Sequence, residues 1–482
     1  TVARGEDEPR ERGGEGGRAP GNVVIPSTEL PRKAASGACA LRSVRKNQTE
    51  NITRAEEDMK NRVMRPLASA LALSAAMILM PAIADPVGKF PGATLTLSRW
   101  AGDPWTAAQV KAAETWNAAT GGKLTVDAIP YENLHDKQQL EMGNGTYDIM
   151  YVHPGWFGEY AAAGALQPID GYLSDPGANP PGFSAASFLP SVLSQGAYNG
   201  KQYCLPDFVS TVVVAYRKDL FDAAGLKAPK TLADVLAAAK ALNGKDGVSG
   251  ITLPGKATGA TADVLGSLVT AYGSWWYDKA GKPALDPAAA TKAIQFYVDA
   301  AKYAPQGILN FHFDEVATAA AQGRAAIAIS TTPSLSWVED PQRSKTVGKW
   351  AYVPLAADAS RPSGELIYWN WCINAKSKNP RAAYSFLQYW TSAAQQAAVA
   401  RSAKTAGATK DFYEDKALVA DLPFLPALQA ALSHSNPQPS LSGWPRIQDG
   451  IEHAVQEAIE GKATAAGAAQ TIEATLTSVL AK

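Results

Sequence analysis

From Leu95 onward the chain switches repeatedly between a two-residue and a 3.6-residue apolar period. A chain that does this builds a sheet and lays helices across it. Leu95–Trp100 predicts a strand, followed by the turn Ala101-Gly102-Asp103-Pro104. A helix is expected over Thr106–Thr120, with Val110, Ala113 and Trp116 at helical spacing and a stop at Gly121-Gly122. Lys123–Ile129 predicts the next strand, and His135–Met142 a polar helix that ends at Asn144-Gly145. Tyr147–Val152 predicts a third strand and Phe157–Ala163 a short helix stopped by Gly164. This alternation is that of a parallel sheet covered by helices.

The pattern resumes beyond Gly200. Gln202–Leu205 and Val212–Tyr216 read as short strands around Pro206. Thr231 suits the cap of a helix over Leu232–Leu242, whose apolar side is Leu232, Val235, Leu236 and Ala239. Asp286-Pro287 opens another helix, with proline in its first turn and Ile294, Tyr297 and Val298 as its stripe. Ala325–Ile329 predicts a buried strand, and Asn379-Pro380 opens a helix that runs through Trp390. Two late helices are expected, from about Ile451 to Glu460 and from about Thr464 to the end.

Upstream the chain has a different character. Residues 1–58 hold ten basic and ten acidic side chains, much glycine and no apolar period. Such a segment cannot bury enough surface to offset its chain entropy. Met59 to Pro66 then carries three positive charges and no acid, Leu67 to Met80 runs fourteen residues without a charge, and Ala82-Ile83-Ala84 follows. A basic start, an apolar centre and small residues at −3 and −1 make the pattern of a secretory signal peptide. The run is short of the roughly 20 apolar residues that span a bilayer. Residues 59–84 are therefore expected to be a signal peptide cleaved after Ala84, with translation starting at Met59 or Met64. Residues 1–58 are then unstructured, an artefact of start-site assignment. The exported chain would be Asp85–Lys482, 398 residues with 32 basic and 35 acidic side chains. Two α/β lobes suit that length better than one oversized sheet.

Signatures of catalysis are missing: there is no G-x-S-x-G elbow, no H-E-x-x-H, no Walker loop and no G-x-G-x-x-G after a strand. His135, His153, His312, His434 and His453 form no close metal pair, so neither a metal site nor a cofactor is expected. The 45 basic and 45 acidic side chains cancel, which argues against a nucleic-acid partner.

Tryptophan is the informative residue. Twelve occur, and three of them stand where a strand ends. Trp100 and Trp105 bracket the first turn, and Trp156 follows the third strand in His153-Pro154-Gly155-Trp156. Trp275 and Trp276 follow Tyr272-Gly273-Ser274, Trp369 and Trp371 lie in Tyr368-Trp369-Asn370-Trp371, and Trp444 lies in Gly443-Trp444-Pro445-Arg446. Ligands of open α/β sheets bind at the carboxyl ends of strands. Flat ring faces beside a few polar groups suit a neutral polyhydroxylated ligand, whose C–H faces stack while its hydroxyls are bonded. The alternative is that these rings pack the lobes together. Trp116 and Trp390 fall on helix stripes and read as core.

These residues carry a resemblance. Tyr147–Val152 followed by Trp156 and Tyr160–Asp170 is similar to the third strand and following helix of the family 1 extracellular solute-binding proteins, the sugar receptors of ABC importers. Gly200–Pro206, Tyr216–Phe221 with Ala223–Leu226 and Pro229–Thr231, Gly323–Ile329 and Ser377–Pro380 match the same family in order and spacing. The resemblance implies an α/β fold of periplasmic binding protein type II, with two Rossmann-like lobes joined by hinge strands. The lobes would be 85–206 with 366–430, and 210–360 with 440–482. It implies a monomeric periplasmic receptor, not an enzyme, that closes on a carbohydrate or polyol and hands it to the permease subunits of an ABC transporter. Ligand contacts carried over by position, together with the strand-end Trp100 and Trp105, are Asp103, His153, Trp156, Asp207, Ser210, Tyr272, Trp275, Thr331, Thr332, Trp369 and Trp444. Ser330-Thr331-Thr332-Pro333-Ser334 lacks the Gly and Trp common there in sugar binders, which leaves the particular sugar open. A polyamine or metal-ion receptor on the same fold, or a secreted carbohydrate-active enzyme, is the alternative. Cys204 and Cys372, the only Cys of the exported chain, fall on adjacent strands in the resemblance, either as a disulfide or as two buried thiols.

Overall fold

The computed structural model describes residues 86–101, 105–278, 280–441 and 443–480. Residues 1–58, the expected signal peptide over 59–84 and Asp103 lie outside them. The principal elements of the first half are β1 (Thr94–Trp100), α1 (Thr106–Thr120), β2 (Lys123–Ile129), α2 (Tyr131–Met142), β3 (Ile149–Val152) and α3 (Pro154–Ala162). Then come β4 (Cys204–Ser210), β5 (Val212–Arg217), α4 (Leu232–Leu242), α5 (Gly259–Ala271) and α6 (Pro287–Ala301). The second half adds β6 (Ile327–Thr331), β7 (Trp350–Pro354), β8 (Gly364–Ile373), α7 (Pro380–Trp390), α8 (Trp444–Ile459) and α9 (Ala465–Leu480).

Local chemistry sets the helix ends. Gly121 stops α1 in the left-handed region (φ 77°), where its N–H reaches Asn117 O. Thr231 and Asp234 form a reciprocal capping box on α4, worth about 1 kcal/mol. The Asp286 carboxylate accepts from Ala288 N at 2.9 Å beside a first-turn proline on α6.

The chain makes two lobes, each with its own sheet. In the first, β1 pairs in parallel with β2 and β3, as the strand–helix alternation requires. The rest of that sheet departs from the expected parallel arrangement. β8 enters antiparallel between β3 and β4, so the sheet is mixed. A returning strand that begins 212 positions after β3 ends, at Gly364 against Val152, has no local signal of its direction. β4 also runs on through Pro206, which was expected to separate two strands. Proline has no N–H to give, and β8 shifts register between Tyr368 and Asn370, opposite Pro206. The second lobe has the antiparallel order β6-β5-β7. One core gathers Leu95, Trp116, Ile149, Leu205, Trp371 and Trp390; the other gathers Val214, Leu265, Ile294, Ile329, Trp444 and Ile472. Among the described residues no helix is long and apolar enough to cross a membrane.

Three chain crossings connect the lobes, and the first two touch. Thr211 alone separates β4 from β5, and its carbonyl accepts from Thr332 N at 3.1 Å. Ser210 Oγ and Thr332 Oγ1 are 3.1 Å apart across the same point. β8 is buried along all ten residues, and its first residue, Gly364, lies over Thr211. A Cβ on Gly364 would stand 2.3 Å from Thr211 Oγ1, well inside contact distance. Further along the same two strands, Cys204 and Cys372 are directly opposite and disulfide-bonded, with Cα atoms 4.4 Å apart.

Gly364→Ala is therefore expected to lose about 1–3 kcal/mol of stability by forcing the crossings apart. Gly171→Ala, at a glycine with nothing within 4 Å and no positive φ, should be close to neutral. Urea denaturation of both variants checks this, and equal midpoints would contradict it. The disulfide closes a 168-residue separation, for which the chain-entropy account sets a ceiling of about 5 kcal/mol. Alkylation of unreduced, denatured protein should label neither Cys204 nor Cys372, and reduction should lower the unfolding midpoint; two labelled thiols in the unreduced protein would show that the bond does not form.

Candidate functional site

The end of β3 and the start of α8 face each other from the two lobes across a pocket of about 240 Å³. On the first-lobe side the wall is His153, Gly155 and Trp156. His153 is the extended N-cap of α3, and Pro154 fixes the first turn. Its Nδ1 accepts from Gly155 N at 3.1 Å. Burial, then the nearby His135, pushes its pKa down to about 3, so the ring is neutral. A neutral imidazole whose Nδ1 accepts must carry its proton on Nε2, so His153 offers a donor. Gly155 is needed as glycine: a Cβ there would lie 3.0 Å from Trp444 Cδ1 and 3.2 Å from His153 Nδ1.

Behind this wall stands a cage of rings. Trp369 packs on Tyr151 at 4.7 Å, His153 at 5.0 Å, Trp156 at 5.6 Å and Trp100 at 5.8 Å between ring centres. Trp156 also leans on His135 at 4.7 Å. Tilted and edge-on contacts of this kind add about 0.5–1.5 kcal/mol each beyond burial. They hold Trp156 and His153 in place for whatever enters.

The second-lobe wall is the first three turns of α8. Gly443 (φ 84°) turns the chain into the helix, and Pro445 fixes its first turn. Trp444, Gln448 and Glu452 then recur at four-residue intervals and so share a face, with Pro445 and Asp449 beside them. Trp444 rests on Trp276, ring centres 6.1 Å apart. Gln448 Nε2 donates to Glu452 Oε1 at 2.8 Å. Burial, reinforced by Asp449, pushes the Glu452 carboxyl up to about 7 against the opposing bond from Gln448. Asp263 of α5 is raised by burial and by the Glu452 charge, although it accepts from Gln438 Nε2 at 2.8 Å. Glu365 of β8 is raised well above its ordinary range by burial and then by Asp263.

Of the residues expected at the site, His153, Trp156 and Trp444 meet at the pocket. Trp100 is half-buried at its edge, against the Trp369 cage. Trp369 itself is 5% exposed and supports the wall from behind. Trp105 is 2% exposed and packs on Phe208 at 4.9 Å, inside the first core; the chain turns it inward as α1 begins. Asp207 is also inside the lobe. Its Oδ2 accepts from Tyr151 Oη at 2.8 Å and its Oδ1 from Trp390 Nε1, so both oxygens are occupied. Arg99 supplies the countercharge to that buried carboxylate. Ser210, Thr331 and Thr332 are buried at the crossing, the first and last bonded to each other. Tyr272 and Trp275 are half-buried in the second lobe, Trp275 leaning on Trp276 at 5.8 Å, and neither lines the pocket. Gln448, Asp449 and Glu452 were not anticipated. Their signal was the i, i+4, i+8 spacing from Trp444, hidden because the helix was expected to start only at Ile451.

A second recess of about 290 Å³ lies between Tyr352 and the 420–424 segment. Its rings, Tyr352 and Phe424, meet edge to face at 6.3 Å and so contact each other instead of offering a flat platform. The pocket at α3 and α8 is the better candidate.

The family model for bacterial extracellular solute-binding proteins matches residues 102–397. A mannitol-binding protein of Pseudomonas aeruginosa is 30% identical over 256 residues, 52% of this chain and 57% of that protein. A probable ABC transporter-binding protein of Deinococcus radiodurans is 25% identical over 385 residues, 76% of this chain and 89% of that one. Among solved structures, a solute-binding protein of Agrobacterium radiobacter in complex with ribitol superposes with a TM-score of 0.71 at 26% identity, over 80% of this chain and 98% of that one. A homologous receptor of Agrobacterium vitis with bound D-mannitol gives 0.68 at 25%, with the same coverage. The fold is thus that of periplasmic binding protein type II, and the chain belongs to the bacterial extracellular solute-binding protein family.

Proposed function

We propose that this protein is an extracytoplasmic receptor that captures one small carbohydrate or polyol between its lobes for an ABC transporter. The observation that carries the reading is the pocket itself: two indole walls from opposite lobes, a neutral imidazole donor on one side and carboxyl acceptors on the other. Hydroxyl groups both donate and accept, so a polyhydroxylated ligand satisfies both sides at once while its C–H faces lie on Trp156 and Trp444. At about 240 Å³ the pocket is below the roughly 300–1,000 Å³ of drug-sized sites, which suits a monosaccharide or a linear polyol over an oligosaccharide. The relatives that bind mannitol and ribitol support the same class.

In this reading 85–206 with 366–430 moves against 210–360 with 440–482 about the Thr211–Gly364 crossing. Ligand contact with both lobes shifts the balance toward the closed state, which the permease then recognises. Residues 59–84 direct export, the protein works in the periplasm as a monomer, and it carries out no chemistry on its ligand. A polyamine is the second reading, favoured by Asp449 and Glu452 in the pocket wall.

A thermal-shift panel of ribitol, mannitol, glucose, maltotriose and spermidine separates these readings, because a ligand that binds only the native state raises its melting temperature. A polyol or monosaccharide should stabilise the protein, with a Kd near micromolar, roughly −8 kcal/mol; stabilisation by spermidine alone would reverse the reading. Trp444 is only 3% exposed and belongs to the second core, so truncation to Ala would cost fold stability as well as binding. Trp444→Phe keeps a ring and should weaken binding by about fivefold, close to 1 kcal/mol of lost stacking, as read by titration of the remaining Trp fluorescence. The donor role of His153 has its own check. Its imidazole signals should not titrate between pH 8 and pH 4.5, since burial holds it near 3, whereas His453 should titrate above the ordinary histidine value. A His153 midpoint above 5 by NMR would remove it as a fixed donor.

A further inference from the structure

Glu452 is a buried acid of the pocket wall, 6% exposed, and one oxygen is bonded to Gln448. Among the described residues no cation pairs with it, and the one opposing charge, that of His453, is weaker than the burial that raises it. Its own helix supplies Asp449, an acid, and His453, which is 61% exposed and turned onto Asp449 at 3.3 Å. α5 supplies Asp263, and behind it Glu365 sits where a side chain on Gly266 would otherwise be, 2.0 Å from the position of its Cβ. From α6, Lys292 is exposed and Asp299 is paired with Lys302 at 2.6 Å. The one charged residue of α9, Glu473, is exposed. Across the pocket, His153 is neutral, and Glu159 of α3 is taken by Gln139 and His135. Among the described residues, the only other charged group lining the pocket is the acid Asp449.

Closing the lobes on a ligand removes the remaining water from this carboxyl. A charge in a dry site must be paired or lose its charge. Hydroxyl groups of a polyol bring hydrogen bonds but no positive charge. Resting on the polyol reading above, we propose that Glu452 is a specificity-determining residue of this site and that it holds a neutral polyol as the protonated carboxylic acid, so that capture takes up one proton. In that form Glu452 gives one O–H donor and keeps one acceptor oxygen, which matches two neighbouring hydroxyls. The proton comes from solvent and returns to it on release. Burial already brings the free carboxyl to about 7, so the exchange falls in an accessible range.

The sign follows. Below about pH 7 free and bound forms are both protonated and affinity is constant. Above it, the free carboxyl ionises while the bound one does not, so affinity falls by up to about tenfold per pH unit. A cationic ligand would give the opposite slope, tightening as the carboxylate forms.

The test titrates D-mannitol into wild-type protein from pH 5.5 to pH 9 at fixed ionic strength, by Trp fluorescence and by calorimetry in two buffers of different ionisation enthalpy. The expected result is a flat Kd at the acid end, a rise of about tenfold between pH 7.5 and pH 8.5, and measurable proton uptake on binding at pH 8. Glu452→Gln should bind more weakly at pH 6 and lose the slope, with circular dichroism at each pH to certify that it is folded. A wild-type Kd that is flat or falls as pH rises would overturn the inference, as would a Glu452→Gln protein that keeps the slope, which would move the titrating group to Asp263. Should mannitol not bind, the same titration is run with whichever member of the panel stabilises the protein. If no neutral sugar or polyol binds at any pH, the reading of the function falls as well; if one binds without pH dependence, only the proton is lost.

Discussion

The close passage of Thr211 under Gly364 is the contact on which the rest of the molecule depends. Two of the three crossings pass from lobe to lobe side by side, and the approach leaves no room for a Cβ. Each of these two is one step of otherwise continuous strand: β4 becomes β5 across Thr211, and β8 is paired in the first lobe by residues Ile367 to Ile373 while Gly364 to Leu366 pair with Ser435–Pro437. Short paired crossings permit a hinge rotation and resist a twist. The bond between Cys204 and Cys372 ties the same two strands together inside the first lobe, so bending is directed to the crossing itself. What the hinge swings together is the end of β3 and the start of α8.

Electrostatics divides the two lobes in a way packing alone would not. The first lobe neutralises its buried charges internally: Arg99 and Asp207 face each other, with Tyr151 and Trp390 bonded to the carboxylate. That lobe presents rings and a neutral histidine to the cleft. In the second lobe the buried acids Asp263, Glu365 and Glu452 have no cation bonded to them among the described residues, and the last of these lines the cleft. Buried acids without a bonded countercharge persist where their cost is offset by a ligand or a proton. The asymmetry points to function and not to stability, because a hydrophobic residue at Glu452 would pack the same helix face with less penalty.

How much of this could be read before the fold was known depends on how local the cause is. Capping and stop signals are local, so α1, β2, α4 and α6 lie where Thr231, Asp286 and Gly121 put them. Strand direction is not local, and nothing in Gly364–Ile373 says that it runs against β3. The strand-end rule brought Trp156 to the pocket, because a strand's carboxyl end is a property of its own turn, and the family resemblance brought His153 and Trp444. The strand-end rule failed for Trp105 and the resemblance for Asp207, since whether a residue points into the cleft or into the lobe is decided by partners far away, Phe208 for the one and Tyr151 and Trp390 for the other. The start of α8 was legible in principle: Gly443 and Pro445 frame a helix start as clearly as Asp286 and Pro287 do, and the acidic face follows once that start is recognised.

The two walls also limit what the pocket can accept. An anion would face Asp449 and Glu452 with only one imidazole N–H to receive it, and no basic side chain lines the pocket among the described residues. A purely apolar ligand would stack on Trp156 and Trp444 but leave the His153 proton and the Glu452 carboxyl without partners in a closed, dry space, a loss of about 1–3 kcal/mol for each group. A ligand that is donor and acceptor along its whole length avoids both penalties. Position matters as much as type, because donor and acceptors stand on opposite lobes and are satisfied together only when the lobes are closed. The same groups that discriminate between ligands are therefore the ones that report closure.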